Sequence, residues 1–358
     1  MKYIYILVAI VIVGCSTSLI QKDNRNSREF EFTYNVDLES TDGKKVELWI
    51  PIPQSNAVQT ISNLKLDAGG LNYQIKDEIK HGNKYYYIYS EDGIEEDKIV
   101  KMTFNVKRHE HSNVEYNNVN NDIYLKASSL VPVGDFFKEI INLNKLDNKN
   151  IRNTYDFVLN GMHYGKPTDD KNSKNYKYIH GGKNPKTDEE WLSDEITYGT
   201  KKKTKNQLVE SQNHNEKYAF GNGNSLYACD IGVGNCTDYH SYFISLNRTL
   251  GVPARFHMGF PIPAGSEGKV GGYHCWADYY VEGKGWFPVD ISEADKDPSK
   301  VEYFFGKVDE NRVEMMIGRD FQLFGYESGI ANLFIYPILE VNDKESKGFK
   351  KSFTYKNI

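Results

Sequence analysis

Gly234 to Arg255 reads GNCTDYHSYFISLNRTLGVPAR, and the rest of the chain can be ordered around it. Tyr239, Tyr242, Phe243, Leu246 and Leu250 recur at three- and four-residue steps, the apolar stripe of an amphipathic helix. Gly251 and Pro253 are stop signals at its end, and either Asn235 or Thr237 supplies a cap at its start. Cys236 therefore sits in the first turn, near the positive end of the helix dipole, where a thiolate is favoured. A helix cysteine in isolation is most often a small buried hydrophobe, so its neighbours must decide what it does.

The deciding neighbours lie downstream. Tyr273–Val281 and Trp286–Ile291 read as two strands around Glu282-Gly283-Lys284-Gly285. Side chains alternate along a strand, so His274, Trp276, Asp278 and Tyr280 share one face. A three-residue turn through Val281–Gly283, with Gly283 left-handed, sets His274 directly opposite Asp290. Opposed Cβ atoms are about 5 Å apart, within reach for a carboxylate to hold an imidazole. A two-residue turn at Gly283-Lys284 sets Asp290 opposite Ala277 instead, so the register is an expectation. In the first register Cys236 is the nucleophile, His274 the base, and Asp290 the group that orients the ring. The Cys236 backbone N–H is an oxyanion donor; the sequence identifies no second one. Each of the three alone has a plainer reading, a packed cysteine, a strand histidine and a turn carboxylate.

These blocks, GNCTDYHSYFISLNRTLGVPAR followed by YHCWADYYVEGKGWFPVDISEA, resemble the transglutaminase-like superfamily. The resemblance covers roughly residues 134–325 and carries Cys236, His274 and Asp290 onto the family's Cys, His and Asp. It implies a papain-like core in which the Cys opens a helix packed on a sheet bearing His and Asp. YFFGKVDENRVEMMIGRDFQL resembles the segment after the Asp block in bacterial secreted members, where an N-terminal β domain is common. Cys275 departs from the pattern, standing where a small residue is usual. The family includes cross-linking acyltransferases, peptidases and inactive members, so the resemblance leaves the reaction open.

The chain of 358 residues, with 39% hydrophobic and 26% charged, has ordinary globular composition and room for about two domains. Its net charge of -5 gives no reason to expect nucleic acid. Lys2 is followed by the apolar run Ile4–Val13, whose end belongs to Ile12-Val13-Gly14-Cys15, which resembles a bacterial lipobox. The expectation is a cleaved signal peptide (1–14) and a lipidated Cys15 on a polar tether (15–28). Three cysteines then remain, and Cys229 with Cys275 is one pairing that leaves Cys236 free.

Residues 29–130 read as an N-terminal β domain, a small antiparallel sandwich. Phe30, Phe32, Tyr34 and Val36 form one strand face; KVELWIPI (45–52), Val58–Leu66, Lys98–Lys107 and a hairpin turning at His81-Gly82-Asn83 supply other strands. His109-Glu110-His111 lacks the HExxH spacing of a zinc site and reads as a solvated strand end. In the core, 131–325, one helix has Phe136, Ile140 and Leu143 on a face and a second has Ile151, Tyr155, Val158, Leu159 and Met162. An insertion at 165–217, with Trp191 and Tyr198, is a solvated loop or a substrate flap, and the Gly-rich 264–272 is a loop. Residues 326–358 complete the fold as C-terminal strands. Asp238 and Arg255 are expected to cap the helix and pair with a carboxylate, Trp276 and Trp286 to be core. His240 is expected to pack near the site; zinc through it with Cys229 and Cys275 lacks CxxC spacing.

The resulting expectation is an α+β protein, a papain-like transglutaminase core of helices on an antiparallel sheet behind a small β-sandwich-like domain. Its expected function is that of an exported thiol enzyme, lipid-anchored to the cell envelope, acting on amide bonds of protein or peptide through a thioester. Hydrolysis is preferred because water is abundant. Protein-glutamine acyl transfer, and non-enzymatic surface binding with a relic core, are the other readings. No cofactor or metal is expected, since no acidic loop has calcium-ligand spacing. The oligomeric state is open.

Overall fold

The computed structural model describes residues 25–116, 119–168, 176–178, 195–198, 201–204 and 219–358. Cys15, the signal segment, Trp191 and most of the 165–217 insertion lie outside the described residues. The fold is mixed α+β, with mostly antiparallel sheets, a β-rich N-terminal region and a helix-on-sheet core. No described helix is long and apolar enough to cross a membrane.

The N-terminal strands are β1 (Ser27–Leu38), β2 (Val46–Ile52), β3 (Gln59–Asp67), β4 (Asn72–Glu78), β5 (Asn83–Ser90) and β6 (Lys98–His109). Alternation decides their faces: Phe30, Phe32, Tyr34 and Val36 of β1 and Val100, Met102 and Phe104 of β6 are buried, while Ile99, at the start of β6, is exposed. Strand β2 is buried at every position because it lies inside its sheet. The β4–β5 hairpin turns before Asn83, with Gly82 at a left-handed φ of 78°.

The core begins with α1 (Asp135–Leu143) and α2 (Ile151–Gly161), followed by the short strand β7 (His163–Tyr164). Strands β8 (Lys166–Thr168) and β9 (Tyr176–Tyr178) pair in parallel, and β10 (Glu195–Tyr198) pairs with β11 (Lys201–Thr204). Then come α3 (Ser225–Ile231), β12 (Val233–Gly234) and α4 (Cys236–Thr249). The remaining elements are β13 (Ala254–Pro261), β14 (Glu267–Val270), β15 (His274–Val281), β16 (Gly285–Val289), α5 (Ile291–Lys296), β17 (Arg312–Ile317), β18 (Ile338–Val341) and β19 (Phe349–Asn357). The core sheet has the order β16-β15-β13-β17 and packs against α4.

The tail does not serve the core alone. Strand β17 closes the core sheet, but β18 pairs with β2 and β19 with β1. The two N-terminal sheets are therefore β14-β19-β1-β6-β3 and β18-β2-β5-β4, each built from both ends of the chain. The expected loop at 264–272 contains β14, an edge strand in which Glu267–Val270 runs antiparallel to Phe353–Lys356 of β19. Phe260 of β13 joins the regions, its ring 4.4 Å from Phe353 and 5.2 Å from Phe32.

Three packing expectations change. In α1 the buried residues are Phe137 and Ile141, and Leu143 is 75% exposed, so the helix is rotated from the Phe136–Ile140–Leu143 face. The stretch after β6 is not solvated: His111 is fully buried and bridges to Val308. Helix α4 is not amphipathic in use, since Cys236 through Arg248 are all buried. Its polar side chains are bonded instead of hydrated. Ser245 donates to Ser225 Oγ at 2.7 Å, Arg319 donates to Ser241 Oγ at 2.7 Å, and Arg248 Nε donates to the Ala254 carbonyl at 3.0 Å.

Candidate active site

The start of α4 is fixed by backbone. Strand β12 lies parallel to β7, and the Gly165 N–H donates to the Gly234 carbonyl at 3.0 Å, just before Cys236. Asn235 is the cap: its side chain accepts from the Thr237 N–H at 2.9 Å, and Asp238 completes a capping box. The Asp238 carboxylate accepts from the N–H groups of Asn235 and Gly221, both at 3.0 Å, and of Gly223 at 3.1 Å. It thereby ties the Gly221–Asn224 turn to the helix. Burial raises the Asp238 pKa to about 7, against the pull of those three donors.

The hairpin does not adopt the register expected from the sequence. Val281 pairs with Gly285 and Ala277 with Val289, so the turn is Glu282–Lys284, with Gly283 left-handed at 69°. Continued one step, that register sets Asp290 opposite Trp276, two residues from His274. A two-residue shift preserves the face, so Asp290 and His274 still meet. Asp290 is also not a strand residue: it caps α5, accepting from the Glu293 N–H at 3.2 Å and Ser292 Oγ at 3.1 Å. Its other oxygen, Oδ2, lies 2.7 Å from His274 Nε2.

With Nε2 engaged, Nδ1 is the ring nitrogen left for the thiol, and the His274 ring and the Cys236 thiol interact. Burial pushes the imidazole pKa down, but the Asp290 charge and hydrogen bond and the Cys236 sulfur outweigh it and raise it to about 10. Cys236 is held well below an ordinary thiol, first by the Cys275 thiol, then by His274, against burial. Asp290 stays ionised far below the usual carboxylate range despite burial, because His274 and Arg312 surround it with positive charge. These shifts all favour the charged forms of Cys236, His274 and Asp290, in a site nearly removed from solvent.

Cys275 does not pair with Cys229; Cys229, Cys236 and Cys275 are all free. Cys229 interacts with Tyr242, six residues beyond Cys236, or about 9 Å along the helix. Cys275 lies at the other end, where it accepts from Thr237 Oγ1 at 3.7 Å and interacts with Cys236.

His240 has a defined tautomer. The Ile291 N–H donates to its Nε2 at 3.0 Å, so the proton is on Nδ1, which donates to the Cys236 carbonyl at 2.7 Å. Burial lowers its pKa to about 4, keeping it neutral. Arg255 pairs with Asp278, Nε to Oδ1 at 2.9 Å, and Trp276 and Trp286 are buried as expected. His257 sits behind the site between Asp278 (3.0 Å) and Glu314 (2.7 Å), its ring stacked 5.5 Å from Trp276.

Sequence reasoning missed Arg312, whose Nη1 donates to Asp290 Oδ2 at 3.0 Å. No motif marks it, because it arrives from β17, twenty-two residues away. It also missed three tyrosines around the start of α4 and β15. Tyr273 OH lies 3.0 Å from Thr237 Oγ1, Tyr336 OH accepts from the Tyr273 N–H at 3.2 Å, and Tyr164 is half-buried near the sulfur.

Residues 177–291 match the model of the Transglutaminase-like superfamily. The chain is 25% identical over 98% of its length, and 99% of the other, to an uncharacterized protein of Haemophilus influenzae. Among solved structures it resembles a candidate cysteine protease from Cytophaga hutchinsonii, with a TM-score of 0.48, 12% identity, and 92% of this chain and 98% of that one covered. It also resembles the periplasmic domain of TgpA from Pseudomonas aeruginosa, with a TM-score of 0.32, 12% identity, and 76% and 73% covered.

Proposed function

Residues 177–291 form a transglutaminase-like superfamily domain, and on that premise we propose that the chain is a thiol enzyme that hydrolyses amide bonds of protein or peptide. The observation that carries this reading is the His274 Nε2–Asp290 Oδ2 contact of 2.7 Å beside a cysteine at a helix start. It leaves the opposite ring nitrogen, Nδ1, which has only a 4.0 Å ion-pair contact to Glu293 Oε1, to exchange a proton with sulfur.

The Cys236 thiolate attacks the amide carbon, and the oxyanion meets the Cys236 N–H at the start of α4. His274, as imidazolium, gives its proton to the leaving amine, and a thioester remains. Neutral His274 then takes a proton from water, which attacks the thioester; acid is released and the thiolate–imidazolium pair returns. Asp290 keeps the ring oriented throughout and stabilises its charged form.

The test offers purified full-length protein a peptide library together with a primary amine donor. Cleavage that disappears in Cys236→Ala and His274→Ala supports hydrolysis. Amine incorporation without cleavage would move the reading to acyl transfer, and no turnover in either assay, with Cys236 no more reactive than a model thiol, would leave a binding protein.

We also place the chain on the exported side of a membrane, held by lipid on Cys15, because Ile12-Val13-Gly14-Cys15 follows a short apolar run. Labelling with a fatty-acid analogue in expressing cells, lost in Cys15→Ala, tests it; equal labelling of the variant refutes it.

A further inference from the structure

The two residues that bracket the reactive sulfur come from consecutive positions of β15. His274 supplies the proton partner. Cys275, the residue that departs from the family pattern, supplies a second thiol that reaches the start of α4 at Thr237 and interacts with the first. Both sulfurs are buried, Cys236 at 3% and Cys275 at 0% exposure, and Thr237 Oγ1, one residue along α4 from Cys236, donates to Cys275 Sγ at 3.7 Å. Neither is tied up in a disulfide. The chemistry is asymmetric. The Cys236 pKa is lowered, by the Cys275 thiol first and then by His274, whereas that of Cys275 is raised, by burial first and then by the Cys236 sulfur.

A low-pKa thiolate beside a resolving thiol is the arrangement that converts a sulfenic acid into a disulfide before further oxidation. We propose that Cys236 and Cys275 form a reversible oxidative-modification site, with a small hydroperoxide as its oxidant. The Cys236 thiolate attacks one peroxide oxygen and the O–O bond breaks. The departing oxygen takes the His274 proton and leaves as water, or as an alcohol from an organic hydroperoxide. Cys236 is then a sulfenic acid and His274 is neutral. His274 takes the Cys275 proton, the Cys275 sulfur attacks the sulfenyl sulfur, and the S–O bond breaks. The hydroxide takes that proton back from His274 and leaves as water. Two thiols are oxidised by two electrons and the peroxide is reduced by two. A dithiol reverses the step by exchange.

The inference deepens the proposed thiol chemistry at Cys236, but its readout is independent of substrate. Reduced full-length protein is treated with hydrogen peroxide, quenched, alkylated and mapped by mass spectrometry. The expected product has lost two hydrogens, carries a Cys236–Cys275 cross-linked peptide, and leaves Cys229 open to alkylation. Dithiothreitol restores both thiols fully. In Cys275→Ser the same treatment drives Cys236 to sulfinic acid, which dithiothreitol does not reverse. Accumulation of sulfinic acid on Cys236 in the wild type, with Cys275 still alkylated, overturns the proposal, as does a wild type and variant that recover alike. Cross-linking in a protein without hydrolytic activity would sink the hydrolase reading and leave this one standing; the converse result would do the opposite.

Discussion

Arg312 Nη1 lies 3.0 Å from Asp290 Oδ2, the oxygen that also holds His274. One buried carboxylate oxygen thus serves two cations, which repel each other and compete for it as acceptor. Replacing Arg312 by Gln gives His274 the larger share, so the imidazole pKa should rise above about 10. An imidazolium that holds its proton harder gives it up more slowly to a leaving amine. We expect slower acylation together with a stability loss of about 3 kcal/mol, the scale for breaking a buried ion pair. Arg312→Lys should recover part of both. NMR titration of His274 and urea unfolding check the two effects; an unmoved His274 pKa in Arg312→Gln would refute the shared-oxygen argument.

The thiolate should show in the pH dependence of alkylation. Cys236 is lowered and His274 raised, so the ion pair spans the neutral range. The iodoacetamide rate at Cys236 should stay flat from about pH 6 to 8, where a model thiol of pKa about 8.5 loses about a hundredfold on acidification. Two changes should each restore a slope: His274→Ala removes the cation and Cys275→Ala removes the S–H partner. A Cys236 rate that falls tenfold per pH unit in the wild type would contradict the ion pair.

The sequence exposed the parts of this site that are local. Cys236 at a helix start and His274 on a strand face follow from periodicity and caps, which act over a few residues. It exposed the face of Asp290 but not its register. Both three-residue turns put Asp290 on the His274 face, and in the observed one it also caps α5. Arg312, the interaction of Cys275 with Cys236, and the return of β18 and β19 to the N-terminal sheets depend on long-range packing. Helix α4 failed a different assumption. Its polar residues look like a solvated face, but buried neighbours bond several of them, Ser241 and Ser245 among them, so the pattern marks internal hydrogen bonding.

His240 should behave as a positioning residue. It connects the Cys236 carbonyl to the Ile291 N–H, and so fixes the start of α4 against the start of α5, where Asp290 sits. His240→Ala leaves a buried N–H and a carbonyl short of partners, a loss of about 1–3 kcal/mol. Because the ring is neutral, the flat alkylation profile of Cys236 should persist while stability falls. Urea unfolding beside the alkylation profile separates the roles, and a steep profile in a stably folded His240→Ala protein would show that the ring acts on the sulfur's charge.

Gly259 gives a test of how the sheet carries the site. It pairs with His274 across β13–β15 and marks the register shift between β13 and β17. A Cβ at this position would stand 1.9 Å from the Val313 carbonyl oxygen and 3.0 Å from the Trp276 ring. Neither can retreat easily: the carbonyl belongs to β17, one residue from Arg312, and Trp276 is wedged against His257. Gly259→Ala should therefore push β17 outward, drawing Arg312 from Asp290 as it goes. The expected loss is about 3 kcal/mol, in the range of strain in a packed core. The accompanying His274 shift should run in the same direction as in Arg312→Gln, since both substitutions free the same Asp290 oxygen. Gly259→Ala with wild-type stability and an unchanged His274 titration would mean that the sheet adapts without moving the site.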